Sequence, residues 1–509
     1  MREIDMGRFI HSVLPDLCAS FVRASLPALL ACAIAGCAAP EHPSPMLVVP
    51  AAYAHAATAP AAPANDKGLA WWRAGELPVL DAWVSTALAR NADLAIAGVR
   101  LRRAMLEARL AGAPSAPTVS GEWNTRAARA LGSGQADAGS GSTGQAAVSW
   151  ELDLFGRLGA LQDAASFEAQ ASEQDRQAVR LALVASVTEL YFQLAHSNDR
   201  VAMAEAGERD AERIVALVEA RFQAGAEGRL ALHEALQVRQ ERAAELASQR
   251  MAATVLRERV RVLLDGASVP EPEPQTLLEI ALPPVQPGLP AELLGRRPDL
   301  RAAQWRLQAA GARTDAAVAA YYPRIALTGA LGTSSKALLE VLANPVATLG
   351  LGMTLPFLQA RTLRIETDIA RSRYEEAAVR FRKALYTALG EVDQALSARI
   401  RLTEQEAALR QARIQSAEAA RVYEARFLVG LLPLRSWLDA QERLRTAEVA
   451  LASIRLAQVQ NQIQLSQVLG GGWMTSRYGL VYPGHLGRRD AEDFGMNGRQ
   501  SRGHAVDPG

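Results

Sequence analysis

The chain has 509 residues, 49% of them hydrophobic, so it can bury large apolar surfaces and is long enough for more than one domain. Its 55 basic and 54 acidic side chains leave a net charge of +1, which argues against a nucleic-acid partner and against a long acidic tail. Aromatic residues make up only 5%, while Ala, Leu, Arg, Glu and Gln crowd the middle of each half, a composition suited to long helices.

The N-terminus reads as an address. Arg23 precedes the apolar stretch 26–34, and Ile34-Ala35-Gly36-Cys37 overlaps its end, a tetrapeptide that resembles a bacterial lipobox. In such signals the chain is cut before the Cys, so residues 1–36 are expected to leave as a lipoprotein signal peptide. Cys37 then becomes the first residue, carrying a diacylglycerol and an N-acyl lipid. Cys18 and Cys32 lie upstream of the cut and no Cys follows position 37, so the mature chain has no disulfide to make. Ala38, rather than Asp, permits sorting to the outer membrane by analogy with such lipoproteins. The segment 37–70, rich in Pro and Ala, has no period and reads as a flexible tether. No run of eighteen apolar residues follows it, so no transmembrane helix is expected there.

From Leu80 apolar positions recur at helical spacing through Leu88, Leu94 and Leu101. Residues 118–125 then form a candidate strand. A Ser/Gly-rich loop between 131 and 144 separates it from Val148-Ser149-Trp150-Glu151-Leu152-Asp153-Leu154, where apolar and polar side chains alternate strictly. A helical run over 160–224 follows, interrupted only by Gly207, and a returning run covers 229–265. The chain then repeats itself about 205 residues on. Asp93-Leu94 returns as Asp299-Leu300 and Pro117 as Pro323. The alternating segment returns as Leu351, Met353, Leu355 and Phe357, Gly225 as Gly430, and Glu234 as Asp439. So long a period marks a tandem duplication rather than a solenoid. The first repeat is placed at 71–266, with strands within 118–154 and a helical hairpin over 157–265. The second is placed at 267–473, with strands within 324–357 and a hairpin over 360–470. The Gly- and Arg-rich stretch 474–509 reads as a disordered tail.

Sixty-odd helical residues at about 1.5 Å each make a rod of roughly 100 Å, which no compact domain accommodates. Val184, Val187, Leu190, Tyr191 and Leu194 follow a 3/4 spacing, so the rod carries a stripe for neighbouring helices. Gly225 and Gly430, with Pro433 close behind the second, sit where a tight reversal is needed, and each half ends in an αα-hairpin tip. Alternating strands alone also suit a sheet covered by helices in a soluble α+β protein. The long rods favour an α+β membrane protein instead. Two copies of two strands give four per chain, whereas membrane barrels begin at about eight. A dimer leaves little lumen. A trimer supplies about twelve strands and a matching tube of helices.

With these features in place the chain resembles the TolC/OprM family of outer-membrane efflux channels, in its lipoprotein branch, over residues 71–473. The marks are Ser149-Trp150-Glu151-Leu152-Asp153-Leu154-Phe155-Gly156-Arg157 and Arg296-Arg297-Pro298-Asp299-Leu300-Arg301-Ala302-Ala303. They continue with Tyr322-Pro323-Arg324-Ile325, Leu327-Thr328-Gly329, Leu438-Asp439-Ala440-Gln441 and the closing Leu469-Gly470-Gly471-Gly472-Trp473. The resemblance implies a homotrimeric twelve-stranded β-barrel in outer-membrane lipid, continued by a periplasmic α-helical tunnel. It also implies two partners, a periplasmic adaptor and an inner-membrane pump of the RND type, and no cofactor besides the lipid on Cys37. Small-molecule efflux is the expected function. Type I protein secretion and heavy-metal cation efflux are the alternatives.

The chemistry expected is gating and docking. The sequence offers no metal-ligand cluster, no P-loop and no supported Ser/His/Asp set, and His196 and His233 read as ordinary surface residues. By the resemblance, the helix past the second tip narrows the tunnel and turns acidic residues toward the axis. Asp439, nine residues after Gly430, is then a ring of carboxylates in a trimer. Glu442 follows at i+3, where some relatives carry a basic residue; that puts a salt-bridged latch in doubt and implies an entrance that favours cations. Glu234 holds the same register in the first repeat, Arg435 offers Asp439 an intrachain partner, and Ser436 stands where some relatives have a second gate Asp. The other reading makes Asp439 and Glu442 a solvated face paired with Arg435 and Arg443. Gly225, Val429, Gly430 and Leu431 are the expected adaptor-docking tips, although a reversal alone explains both glycines.

Overall fold

The computed structural model describes residues 47–55, 71–75, 77–126, 141–277, 290–335 and 345–471. The signal peptide, Cys37 and the segment 474–509 lie outside the described residues.

Helices α1 (Pro78–Arg90) and α2 (Ala92–Gly112) are separated by Asn91. Its side chain accepts a hydrogen bond from the Leu94 N–H, capping α2, and donates to the carbonyl of Leu263 at the far end of another helix. One residue thus ends one helix, starts the next and pins both to the body.

Strands β1 (Thr118–Arg126), β2 (Gly141–Leu152), β3 (Arg324–Ser335) and β4 (Pro345–Thr354) form one antiparallel sheet in the order β1-β2-β3-β4. Two isolated hairpins would follow from the repeat alone. Instead β2 pairs with β3 across the repeat boundary, Val148 opposite Gly329 and Trp150 opposite Leu327. The register puts Val119, Val148, Trp150, Leu327, Leu349 and Leu351 on one face, and all of them are solvent-exposed in the single chain. Ser120, Glu122, Gln145, Thr328 and Thr348 share the other face. β2 begins earlier than the alternation suggests, at Gly141, because its Gly/Ser/Thr stretch is held by partners on both sides. β4 stops at Thr354, where Pro356 opens a 3-10 turn, so Leu355 and Phe357 lie outside the sheet, as does Leu154. Strands of nine to twelve residues match the thickness a tilted membrane strand must cross.

Helices α3 (Arg157–Gln223, 67 residues) and α7 (Ala360–Leu428, 69 residues) are the expected rods, each about 100 Å long. Their returning partners α4 (Arg229–Leu263) and α8 (Leu434–Val468) are only 35 residues each and run back about half way. The upper half of each rod is instead flanked by helices that precede the strands, α2 and α6 (Pro298–Ala319), the latter entered from the one-turn α5 (Leu293–Arg296). α3 packs on α2, α4, α6 and α8, and α7 packs on α6 and α8. One 18-residue window of α3 is apolar enough to cross a membrane by composition, but half of it is buried inside the protein, which accounts for the composition. Just past the end of α8 the chain turns at Gly470, whose φ is +92° and where an added Cβ would lie 2.7 Å from the Arg296 carbonyl oxygen. The Arg-Arg-Pro-Asp motif is structural: Arg297 binds Asp299, Glu391 of α7 and the Val468 carbonyl of α8.

Part of the expected free tether is fixed. Residues 47–55 lie on α7, where Tyr53 is buried against Leu293, Leu385, Leu389 and Leu465 and the Ala54 N–H donates to Asp393. Leu47 and Val49 pack partly buried on the same cluster, and so short a contact leaves no periodicity for a sequence reading to find.

Candidate functional site

Both tips reverse through the same local chemistry. α3 ends with the Gly225 N–H bonded to the Phe222 carbonyl and the Ala226 N–H to that of Arg221, with Gly225 at φ +73°. α7 ends with Gly430 N–H to Phe427, Leu431 N–H to Arg426, and Gly430 at φ +80°. These are paired Schellman closures, in which a left-handed residue without a Cβ penalty satisfies the last carbonyls. Gly228 and Pro433 then lead into the returning helices in extended conformation.

The tips differ in what they expose. At corresponding places the first carries Gln223, Ala224 and Ala226 and the second Leu428, Val429 and Leu431. Val429 and Leu431 are 70% and 72% exposed, and Leu230 of the first hairpin is exposed as well. Behind them Phe427 stacks on Trp437 at 5.1 Å, both buried with Val218, Ala235 and Leu434. Arg221 joins the two tips: its guanidinium lies 5.1 Å from the Phe427 ring centroid, donates to the Leu428 carbonyl and pairs with Glu227.

On α8, Trp437 and Ala440 face inward, while Arg435 and Asp439 are exposed. The expected Arg435–Asp439 pair does not form, and among the described residues Asp439 has no ion-pair partner. Glu234 lies half-buried on α4, also without one. Glu442 departs from both sequence readings. It is partly exposed but does not pair with Arg443: Arg445 grips both its oxygens at 2.7 and 3.1 Å, and Arg242 of α4 donates to it from across the two hairpins. Burial raises the proton affinity of this carboxyl, but the hydrogen bonds from Arg445 and Arg242 outweigh it and hold the pKa below the ordinary value. Glu442 is therefore ionised but neutralised, and the intrachain salt bridge that a latch would need is present where the sequence put one in doubt. Arg445 is visible at i+3; Arg242, 200 residues away, has no local signal. His196 also differs from its surface reading, being half-buried between α3, α4 and α8.

The geometry is therefore a sheet with one apolar face and, among the described residues, no strand beyond either edge, carried on long rods whose tips include an exposed apolar one. A family model described as outer membrane efflux protein matches the chain twice, at residues 83–264 and 289–471. The chain belongs to that family. It is 30% identical over 455 residues to the pyoverdine export outer membrane protein OpmQ of Pseudomonas putida, covering 87% of this chain and 96% of that protein. It is 34% identical over 361 residues to the outer membrane protein OprJ of Pseudomonas aeruginosa, covering 68% and 73%. Among solved structures, CusC superposes with a TM-score of 0.77 at 26% identity, covering 85% of this chain and 99% of that one. The open state of the Neisseria gonorrhoeae MtrE channel gives 0.76 at 27%, covering 86% and 98%. The chain is thus an outer-membrane efflux protein of the TolC/OprM type, its sheet and rods corresponding to the strands and helical periplasmic barrel of that family.

Proposed function

We propose that this chain is the outlet of a tripartite small-molecule efflux system, a homotrimer anchored through a lipid on Cys37 and fed by a periplasmic adaptor and an inner-membrane pump of the RND type. The observation that carries it is the sheet: four strands with one continuous apolar face and, among the described residues, no partner for β1 or β4 at the edges. Such a sheet is stable in lipid only when its edges are closed, and three copies give about twelve strands, enough for a lumen. The exposed trio Leu428, Val429 and Leu431 supports docking of the adaptor on the second tip, with Gly225 and Gly430 shaping the reversals. Asp439, exposed and unpaired among the described residues, supports a ring of carboxylates at the entrance; Arg435 lies one turn before it and Glu234 holds the matching register in the first repeat. No catalytic step is assigned to any residue.

Deleting the gene and growing the strain against hydrophobic drugs, dyes, bile salts, and copper or silver ions tests the cargo. Hypersensitivity to the organic compounds is expected; sensitivity confined to the metal ions, or a change confined to secreted proteins, overturns the small-molecule reading. Outer-membrane fractions should hold a heat-resistant trimer, and labelling with an alkynyl fatty acid should be lost in C37S.

A further inference from the structure

Above the Glu442 salt bridge, α4 and α8 both lean on α3, and the three helices leave a groove of about 420 Å³. Gln193, His196, Ser197 and Arg200 of α3, Gln249 of α4 and Ser453 of α8 line it. Three polar atoms there are buried without a hydrogen-bond partner: His196 Nδ1, Ser197 Oγ and Arg200 Nη1. Ser197 as a whole is only 6% exposed. Polar groups held in this way cost about 1–3 kcal/mol each, more when charged; Arg200 and Ser197 can both donate from these atoms, and His196 can where its Nδ1 carries the proton, so together they form a prepared site for an acceptor.

The charges around the groove leave that capacity free. Arg200 uses Nη2 on Glu245 of α4 at 3.2 Å, and Glu245 also accepts from Gln249, so Nη1 is not needed to neutralise it. Gln193 donates to Glu189, and Ser453 donates to its own helix at Val449. Beside His196, the Asp199 carboxylate is engaged by the Leu277 N–H, and on the far side of α3 Asn198 donates to the Pro274 carbonyl. Burial, then the neighbouring Arg200, lowers the proton affinity of the His196 imidazole, with Asp199 opposing, so the ring is neutral at pH 7 and has one N–H to offer.

The groove also has a definite aspect. At about 100° per residue, Gln193, His196 and Arg200 share one stripe of α3, Tyr191 and Asn198 point the opposite way, and Asp199 lies at the edge of the stripe beside His196. That opposite face is covered by α1, through Trp83 on Tyr191, and by residues 270–277. In the efflux-trimer reading, the open side of a wall clad on the other is the one toward the lumen.

We propose that the groove is an anion site in the tunnel wall, one per chain, that takes the carboxylate of a small organic acid passing through. Arg200 Nη1 supplies the charge-assisted bond, Ser197 Oγ and the His196 N–H complete the grip, and the amide groups of Gln193 and Gln249 meet the rest of the molecule. The lumenal placement rests on the efflux-trimer reading; the site itself is built within one chain. Its consequence for function is selectivity: acidic cargo has a resting point in the wall that neutral and cationic cargo lacks.

The test is calorimetric titration of the purified protein with succinate, with butane-1,4-diol as the uncharged control. Saturable binding of one succinate per chain is expected, with no response to the diol. Arg200→Gln should weaken binding at least about tenfold and Ser197→Ala about twofold or more, while Arg410→Gln, on an exposed helix face, should leave it unchanged. Because Arg200→Gln also removes the Glu245 partner, Ser197→Ala and His196→Leu decide the matter if that variant fails to assemble. Absence of saturable binding in the wild-type protein, which leaves only water in the groove, overturns the proposal. So does binding that all the groove variants retain. The measurement needs no pump or adaptor, so a normal drug panel in the deletion strain would overturn the efflux reading while leaving the site standing.

Discussion

Arg242 on α4 donates to Glu442 on α8, and this bond links the two helical hairpins side chain to side chain at the level just above the tips. Since Arg445 holds the same carboxylate from its own helix, Glu442 is a junction rather than a free lumenal charge. If the entrance widens when the hairpins move apart, this junction must break. Glu442 is partly exposed, so the bond is easily replaced by water and contributes under about 1 kcal/mol to global stability.

Glu442→Gln and Arg242→Gln should each raise single-channel conductance in planar bilayers, and the double variant should add little to either. Thermal unfolding should shift by no more than about 2–3 °C. Independent, additive conductance effects would show that the two residues act separately.

The latch should also respond to acid. The folded pKa of Glu442 is lowered, so its contribution is present above the ordinary carboxylate value near 4.3 and is lost as the pH falls through the lowered folded value. Wild-type conductance should therefore rise on acidification below about pH 4, and Glu442→Gln should be insensitive over the same range. A wild-type channel that keeps its conductance there argues against the latch.

Selectivity should follow the other carboxylate. Asp439→Asn removes an exposed charge that has no ion-pair partner among the described residues, and it should weaken cation preference in reversal-potential measurements. Glu442→Gln should affect preference less, its charge being matched by two arginines. Replacing both with Ala should raise conductance and weaken cation preference together. An Asp439→Asn channel with unaltered selectivity would remove the carboxylate ring from the entrance.

Leu431→Glu places a charge on the exposed apolar tip and should abolish efflux in cells without reducing the yield of assembled protein. Ala226→Glu, at the matching place on the first tip, should have a weaker effect. Normal efflux by Leu431→Glu excludes docking through that surface.

Phe427→Ala empties the space beneath both tips. A fully buried Phe truncated to Ala costs about 3–5 kcal/mol, and Arg221 loses its aromatic seat at the same time. Amide exchange should quicken in residues 221–228 and 426–434 while the segment around Trp83 and Tyr191 stays protected. Uniform exchange behaviour would mean that the tips are not held by this cluster.

Several of these features are legible in the amino-acid order alone. The rods announce themselves because a long stretch with no Pro and hardly a Gly, with a 3/4 apolar stripe, favours a continuous helix, and the tip glycines because a left-handed closure excludes most side chains. The short return runs are legible too, 229–265 against a rod over 160–224, but what fills the other half is not: α2 and α6 look like independent helices in the sequence, and only packing shows that they complete the layer beside α3 and α7. The strap carrying Tyr53 is hidden in a Pro/Ala-rich stretch, since so short a contact leaves no period.

At the entrance the division is sharper still. That Asp439 and Glu442 share a helix face, and that Gly430 precedes them by a fixed spacing, follows from residue order, because helix geometry is local. Whether each carboxylate is free or neutralised depends on what a second helix, 200 residues away in the chain, brings within hydrogen-bond reach. Packing settles it, by placing Arg242 against Glu442 and, among the described residues, no cation against Asp439. The same holds for the groove beside His196, where three ordinary polar residues of one helix become a site because α4 and α8 close around them.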